Sequence, residues 1–442
     1  MAMGPFAVES RLQKEKNVPL TKAQAFKIHM DYTHWRVDAR LVKAVIDKSG
    51  DTISWLENMG VKFFEVESQF PGAYCTHHNV EAAEGGTGPG VGLIMMKVMA
   101  DKAKELGIRI LLKTHAVEVL KEGNRVSGVM AEDNSDEEIR VNSKVVIIGA
   151  GGFGDNPKMI KKYTNHEYGK NMFPIKVPGM LGEGIQMAWA AGAAKGEMIM
   201  QLISSLPPPF NGRGGAREEL AAFRQPNLMV NLQGGRFLDE EVLANTTFTG
   251  NAIFEQKDSC GFIIFDGDTK RDYEKNGMHF CDEAFNEDID ANIQAVLDEG
   301  CDCIYVADSL EELADKTGIA FNGLKETVDE YNKACEIGRD DVMNKRPEYL
   351  RPIRNPKFYA GKHVPSAYGS LGGIKINHKT EVLNKNFDVI PGLFGVGTDA
   401  NSIHGKSYVY VLPGGTLAFA LNSGRIAGEN SVEYLKSIGN TN

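Results

Sequence analysis

Nowhere in the 442-residue chain do about 18 apolar residues follow one another, so no segment has the length that a helix needs to cross a bilayer. Positive charge is in the minority, with 49 lysines and arginines against 59 aspartates and glutamates and a net charge of −10. That balance excludes nucleic acid and anionic membrane as the main partner. Cysteine is sparse: Cys75, Cys260, Cys281, Cys301, Cys303 and Cys335 form no CxxC and no CxxCH. The spacing Cys301-Asp302-Cys303 is too tight for zinc and has no histidine near it, so the thiols read as free and no metal set emerges. Free thiols point to a reducing cytoplasm. With no haem or iron–sulfur wiring in the sequence, electrons for any redox chemistry must come from a partner or a diffusible reductant. After Phe6 the charged residues Glu9, Arg11, Lys14, Glu15 and Lys16 interrupt what would be the apolar core of a signal peptide.

Glycine is plentiful. The 48 glycines and a hydrophobic share of 42% suit an α/β chain with many tight turns, and the length predicts two or three domains of roughly 150 residues each. Residues 21–60 read as helix with a break near Trp35, and residues 93–106 as a helix launched from the glycine-rich run 85–90. Residues 107–112, GIRILL, read as a strand, and the charged run 132–140 as a solvated hairpin tip. Around residues 198–209 the composition shifts to methionine, serine and Pro207-Pro208-Pro209, which marks a boundary. Beyond it come a strand pair at 227–237 turning at Gly234-Gly235, a strand at 261–265, and helices at 309–317 and 322–336. Ser309 with Glu312 makes a capping box.

The C-terminal stretch 392–435 carries the most chemistry. An apolar strand ends in Gly397-Thr398-Asp399. After a loop, Pro413-Gly414-Gly415-Thr416 opens a helix whose apolar positions Leu417, Phe419, Ala420, Leu421, Ile426 and Ala427 recur at helical spacing. A helix start leaves N–H groups unpaired and carries about half a positive charge, so an electron-rich ligand atom placed there is stabilised. Gly414 and Gly415 let backbone approach a flat ligand. The alternative is a Pro-Gly-Gly turn before an ordinary surface helix.

Residues 410–430, YVLPGGTLAFALNSGRIAGEN, resemble the C-terminal flavin segment of the fumarate reductase and 3-ketosteroid dehydrogenase flavoprotein superfamily. Residues 144–156, KVVIIGAGGFGDN, resemble that family's internal strand and glycine turn, residues 114–129 the strand pair before it, and residues 181–194 its glycine-acid-glycine helix start. The resemblance spans nearly the whole chain. It implies an α/β fold: a Rossmann-like FAD-binding domain of the glutathione-reductase type with an inserted α+β capping domain. The FAD-binding domain falls in residues 1–199 and 364–442 and the capping domain in residues 200–363. It further implies noncovalent FAD, contacted by Ala2, Met3, Gly4, Ala116, Val117, Ala150, Gly151, Gly152, Gly397, Thr398, Asp399, Gly414, Gly415, Thr416 and Leu417.

Members of the family begin with a strand, a GxGxxG turn and a helix that hold the ADP half of FAD. Here residues 1–6 resemble the segment that follows that unit and lies beside the flavin ring, so the domain is expected to be N-terminally incomplete. The GxGxxG at residues 149–154 does not replace it. Asp155-Asn156-Pro157 breaks the turn, and no second strand with a terminal acid follows. The expectation is a truncated chain, completion by a separate polypeptide, or a weakly held cofactor. A leader lost with such a part stays open.

Fumarate reductases hold a dicarboxylate with histidines and arginines at places that here carry Tyr368-Gly369, Leu412 and the arginine-free run 239–249. Two carboxylates buried without cations would each cost several kcal/mol, which disfavours fumarate. Ketosteroid dehydrogenases use a tyrosine four residues before the first helix glycine, and Tyr410 and Gly414 stand at that spacing. A hydroxyl and an N–H fixed there stabilise the enolate charge that builds when hydride passes between flavin N5 and a carbon β to a carbonyl, and a second hydroxyl moves the α proton. The alternative for Tyr408 and Tyr410 is an ordinary alternating strand. Tyr368 is the other candidate hydroxyl, and Arg224 a candidate for holding one carboxylate. Tyr74, His77 and His78 border the site or lie on the surface. The expected activity is an FAD-dependent oxidoreductase of carbon–carbon bonds that reduces an alkene conjugated to a carbonyl, on a small-molecule substrate, with its electron donor and direction unassigned. A cofactor-free binding or assembly subunit and a dicarboxylate reductase are the alternatives.

Overall fold

The computed structural model describes residues 4–83, 85–86, 90–135, 137–175, 178–210, 218–280 and 288–439. Ala2, Met3 and Cys281 lie outside them. The chain forms two compact units, one of Met1–Asn165, Lys176–Gln201 and Gly369–Asn442, the other of His166–Ile175 and Leu202–Tyr368.

The first unit is α/β. Strand Val389–Gly395 pairs in parallel with Val146–Ile148, Leu393 opposite Val146 and Gly395 opposite Ile148, and antiparallel with Glu381–Leu383. Leu393 and Phe394 are fully buried, which sets the register. Strands Thr114–Glu122, Arg125–Asp133 and Glu138–Asn142 form an antiparallel meander, and the charged run 132–140 is the connection between its last two strands. Helix Ala39–Met59 starts where the Asp38 side chain accepts from the N–H groups of Arg40 and Leu41, and it ends at Gly60. Its buried stripe of Leu41, Val42, Val45, Ile46, Ile53 and Leu56 follows helical spacing. It runs beside helix Gly415–Gly439, to which Thr52 Oγ1 donates at Asn422 Oδ1 over 2.5 Å, while Arg425 reaches Asp51 at 2.8 Å. The break near Trp35 lies between this helix and Lys22–Tyr32.

One expectation fails here. Residues 108–112 form no strand among the described residues, and Leu106, Ile108, Ile110, Leu111 and Leu112 are exposed. The apolar run has strand composition but no neighbour to supply the ladder, and an unpaired strand has no stability of its own.

In the second unit, strand Gly261–Asp266 lies antiparallel to the strand that begins at Phe358, with Gly261 opposite His363 and Phe265 opposite Tyr359. Ile304–Ala307 flanks the latter strand and Leu228–Val230 the former. Phe262, Ile264, Leu228 and Val230 pack beneath helices Leu310–Thr317 and Phe321–Ile337 through Leu313, Leu324, Val328 and Tyr331. On another apolar cluster Phe265 stacks on Tyr359, ring centroids 5.0 Å apart. Ser309 caps its helix through Glu312 N, while the Glu312 carboxylate accepts from Asp308 N, one residue before the position a capping box requires.

The expected strand pair at 227–237 reduces to Leu228–Val230 and a single bridge from Val230 to Arg236. The reason is a buried ion network. Arg236 donates to Glu240 at 3.0 and 2.7 Å and to Asp340 at 2.9 Å, Lys345 lies 3.3 Å from Glu240, and Met229 N donates to Glu240. These side chains are 0–4% exposed. Removing one carboxylate strands buried cations, so Glu240→Ala is expected to destabilise the protein by about 3–5 kcal/mol. Urea unfolding measures this, and a loss under about 1 kcal/mol would mean the network is not desolvated.

Candidate cofactor and active site

Strand Val146–Ile148 leads into a turn whose successive N–H groups face one side. They converge on Asp399: Ala150 N and Gly151 N donate to its Oδ2 at 2.5 and 3.0 Å, Gly152 N to its Oδ1 at 2.9 Å. Phe153 N donates to Ser370 Oγ at 2.7 Å. Burial pushes the Asp399 carboxyl above the usual range, and the three amides pull it back. Asp399 sits in the single turn Gly397–Ala400 at the end of strand Val389–Gly395, so its carboxylate fixes the backbone of 150–152 to that strand end. Gly397 N donates in turn to Ser423 Oγ of the terminal helix at 3.0 Å. Ala116 and Val117 are half-buried on strand Thr114–Glu122, and Thr398 is half-buried beside Asp399.

The second part of the site is the start of helix Gly415–Gly439. Residues 4–7 pass between it and strand His77–Val80. Phe6 N donates to Gly414 O at 2.9 Å, His78 N to Pro5 O at 3.0 Å, and Ala7 N to Thr76 O at 3.0 Å. A Cβ on Gly4 would lie 1.9 Å from His78 O, and one on Gly414, whose φ is +88°, would lie 2.4 Å from Phe6 N. Only glycine serves at either position. Gly414, Gly415, Thr416 and Leu417 are half-buried, and helix geometry leaves the amides of this first turn without intrahelical acceptors.

Residues 408–412 form a turn, not an alternating strand. Tyr408 is buried and its hydroxyl accepts from Gly415 N at 3.2 Å. Tyr410 is half-buried, its ring 4.8 Å from Phe70 and 5.7 Å from Tyr408. His77 and His78, open to a surface reading, are buried instead, because they lie on a strand covered on one side by Phe63–Glu67 and bridged to Phe6. His78 Nδ1 donates to Thr76 O at 2.9 Å and its Nε2 lies 2.7 Å from Ser10 Oγ. Tyr74 is exposed and its N–H donates to Val411 O.

Sequence reasoning missed His404. It is buried, its ring 4.8 Å from Tyr408 and 5.9 Å from His29, and it stands against Gly415, where a Cβ would meet its Cε1 at 3.2 Å. Burial holds its pKa well below 6.5, so the ring is neutral. Its Nδ1 accepts from Val409 N at 3.3 Å, which places the proton on Nε2, and Nε2 is buried with no hydrogen-bond partner among the described residues. An unsatisfied buried donor costs about 1–3 kcal/mol, a cost a ligand oxygen would remove. The only sequence signal was one histidine in the loop before the helix, and nothing in its spacing separates buried from exposed.

In the second unit Arg224 and Tyr368 are neighbours: the guanidinium favours the phenolate of Tyr368, while burial pushes the hydroxyl up more strongly. Arg224, the candidate for holding one carboxylate, has its Nε buried with no hydrogen-bond partner among the described residues. His363 adjoins Arg224, accepting at Nδ1 from Ser204 Oγ at 2.9 Å and donating from Nε2 to Phe223 O at 2.8 Å.

A family model described as FAD binding domain matches residues 6–417. The chain is 29% identical over 443 residues to a vinyl phenol reductase of Lactiplantibacillus plantarum, covering 98% of this chain and 88% of that protein. It is 29% identical over 401 residues to a fumarate reductase (cytochrome) of Shewanella frigidimarina, covering 90% of this chain and 64% of the relative, so it spans less than two thirds of that protein. Its fold matches a 3-ketosteroid delta1-dehydrogenase from Sterolibacterium denitrificans with a TM-score of 0.75 at 19% identity, over 98% of this chain and 92% of that one. The chain is an FAD-dependent oxidoreductase of the group that works on carbon–carbon single and double bonds. It belongs to the FAD binding domain family.

Among the described residues no helix is long and apolar enough to cross a membrane. The buried histidines set a pH dependence. His29, whose Nε2 donates to Ile403 O at 2.6 Å, titrates near 4 because it is buried, against 6.5 in the unfolded chain. Between those values the unfolded state binds more protons, so the stability contributed is present above 6.5 and lost as pH falls toward 4. The thermal midpoint is expected to fall across that window and to fall less in His29→Gln; a flat midpoint in the wild type would contradict a buried neutral ring.

Proposed function

We propose that the protein reduces an alkene conjugated to a carbonyl or a comparable electron-withdrawing group, on a small substrate less charged than fumarate. The carrying observation is the cluster at the start of the terminal helix: the unsatisfied Nε2–H of His404 and the Tyr410–Phe70 ring pair beside Gly414 and Gly415. The site fits FAD by its own features. Glycines leave no room for side chains, a long helix presents its first-turn amides, and His404 has a donor to spare. The amides of Thr416 and Leu417 would hold the electron-rich pyrimidine edge, with Gly414 and Gly415 giving it backbone room and Gly4 beside the ring, and Gly397, Thr398, Ala116, Val117 and residues 150–152 would serve the rest of the cofactor. FAD held there would supply, in its reduced form, the hydride that a carbon–carbon double bond takes up.

The chain's part is polarisation and proton transfer. Tyr410 and the Gly414 N–H donate to the substrate oxygen as negative charge grows there, and His404 Nε2–H is a third donor for an oxygen at this helix end. Tyr368 and Arg224, neighbours within the second unit, are a candidate hydroxyl for proton transfer and a candidate cation for a single carboxylate. The aromatic lining agrees with the relative named for a vinyl phenol. The cytoplasm is the proposed compartment, from the free thiols.

The test is reoxidation of the anaerobically reduced holoenzyme by a vinyl phenol, a cyclic enone and fumarate, followed through the flavin band. The enone is expected to reoxidise it, and Tyr410→Phe to slow that reaction about 10²–10³-fold with flavin content unchanged; a vinyl phenol reacting faster than the enone would overturn the requirement for a conjugated carbonyl. Faster reaction with fumarate would select the dicarboxylate reading, and purified protein lacking flavin would select a cofactor-free binding or assembly role.

A further inference from the structure

Two cysteines of the second unit lie in van der Waals contact. Cys301 Sγ and Cys303 Sγ are 3.2 Å apart. Cys303 is fully buried, whereas Cys301 is partly open. Both backbones are held independently. Cys301 N donates to Val296 O, closing helix Ile289–Asp298, and Cys303 O accepts from Lys362 N at 2.8 Å, tying it to the strand that begins at Phe358. The chain bends at Asp302 and Cys303, and the Tyr305 hydroxyl donates to Asp302 O at 2.6 Å, which holds the bend.

We propose that Cys301 and Cys303 form a redox-active dithiol that closes to an intramolecular disulfide when a small-molecule disulfide reaches Cys301. Even fully extended, residues two apart separate their Cα atoms by only about 7 Å, and a bend brings them inside the roughly 4.4–6.8 Å that a disulfide spans. The pair therefore needs little backbone movement. Roles follow from exposure: burial pushes the Cys303 thiol far above its ordinary range, so the accessible Cys301 is the attacking sulfur. Cys301 loses its proton and its sulfur bonds to one sulfur of the incoming disulfide, whose S–S bond breaks; the departing sulfur takes up the proton as the first thiol. Cys303 sulfur then bonds to Cys301 sulfur, breaking the mixed disulfide, and its proton leaves with the second thiol. The dithiol is oxidised by two electrons, and one external disulfide becomes two thiols.

Incubation of the folded full chain with oxidised glutathione, followed by alkylation and peptide mass analysis, tests this. The peptide carrying both residues is expected to lose two hydrogens and both alkylation sites, and dithiothreitol to restore them. Cys303→Ser is expected to stop at a stable glutathionyl adduct on Cys301, and Cys301→Ser to leave Cys303 a free thiol. A wild-type protein that keeps both thiols, or that accumulates the Cys301 adduct without closing the bridge, overturns the proposal. Circular dichroism of each variant shows that the comparison is between folded proteins.

Discussion

The first unit depends on a close crossing of backbones. Residues 4–7 run between strand His77–Val80 and the start of helix Gly415–Gly439 at distances that exclude any side chain at Gly4 or Gly414. Three main-chain groups in that crossing bond elsewhere in the unit: Phe6 N to Gly414 O, Pro5 O to His78 N, and Ala7 N to Thr76 O. The crossing sets where the helix starts. Tyr408, Tyr410 and His404 pack around that start.

The chemistry offered at that helix start is neutral. His404 is kept uncharged by burial and aimed by a bond to Val409 N, so it presents a donor without a full charge. Tyr408 takes up one of the helix amides, that of Gly415. The buried Asp399 carboxylate at the turn 150–152 is spent on three backbone amides. Such a site favours charge that grows during a reaction over charge that a substrate brings with it, because fixed dipoles in a desolvated site need no rearrangement as the charge appears. The second unit carries its charge differently, as a closed network of Arg236, Glu240, Asp340 and Lys345 in which cations and carboxylates answer one another.

Much of this was legible in the chain. The terminal helix begins at Gly415, where Pro413-Gly414-Gly415 placed it, and strand Val389–Gly395 covers the apolar run before Gly397. Helix periodicity and capping residues are local, so they survive reading without coordinates. What failed was non-local. Residues 107–112 have strand composition but no strand beside them. His77 and His78 were ambiguous until Phe63–Glu67 and Phe6 covered them. His404 gained its meaning from the fold, since a buried ring with one satisfied nitrogen differs from a surface histidine only in its surroundings. The contact between the thiols of Cys301 and Cys303 needed the bend at Asp302, which spacing alone does not show.

The hydrogen bond from Phe6 to Gly414 joins positions separated by about four hundred residues, and contacts of that sequence distance form late because the loop between them must close first. During synthesis the second unit has its full complement of residues once Tyr368 has emerged, while the first still lacks Gly369 onward. The close approach at Gly4 and Gly414 therefore cannot form until residues near 414 have been made.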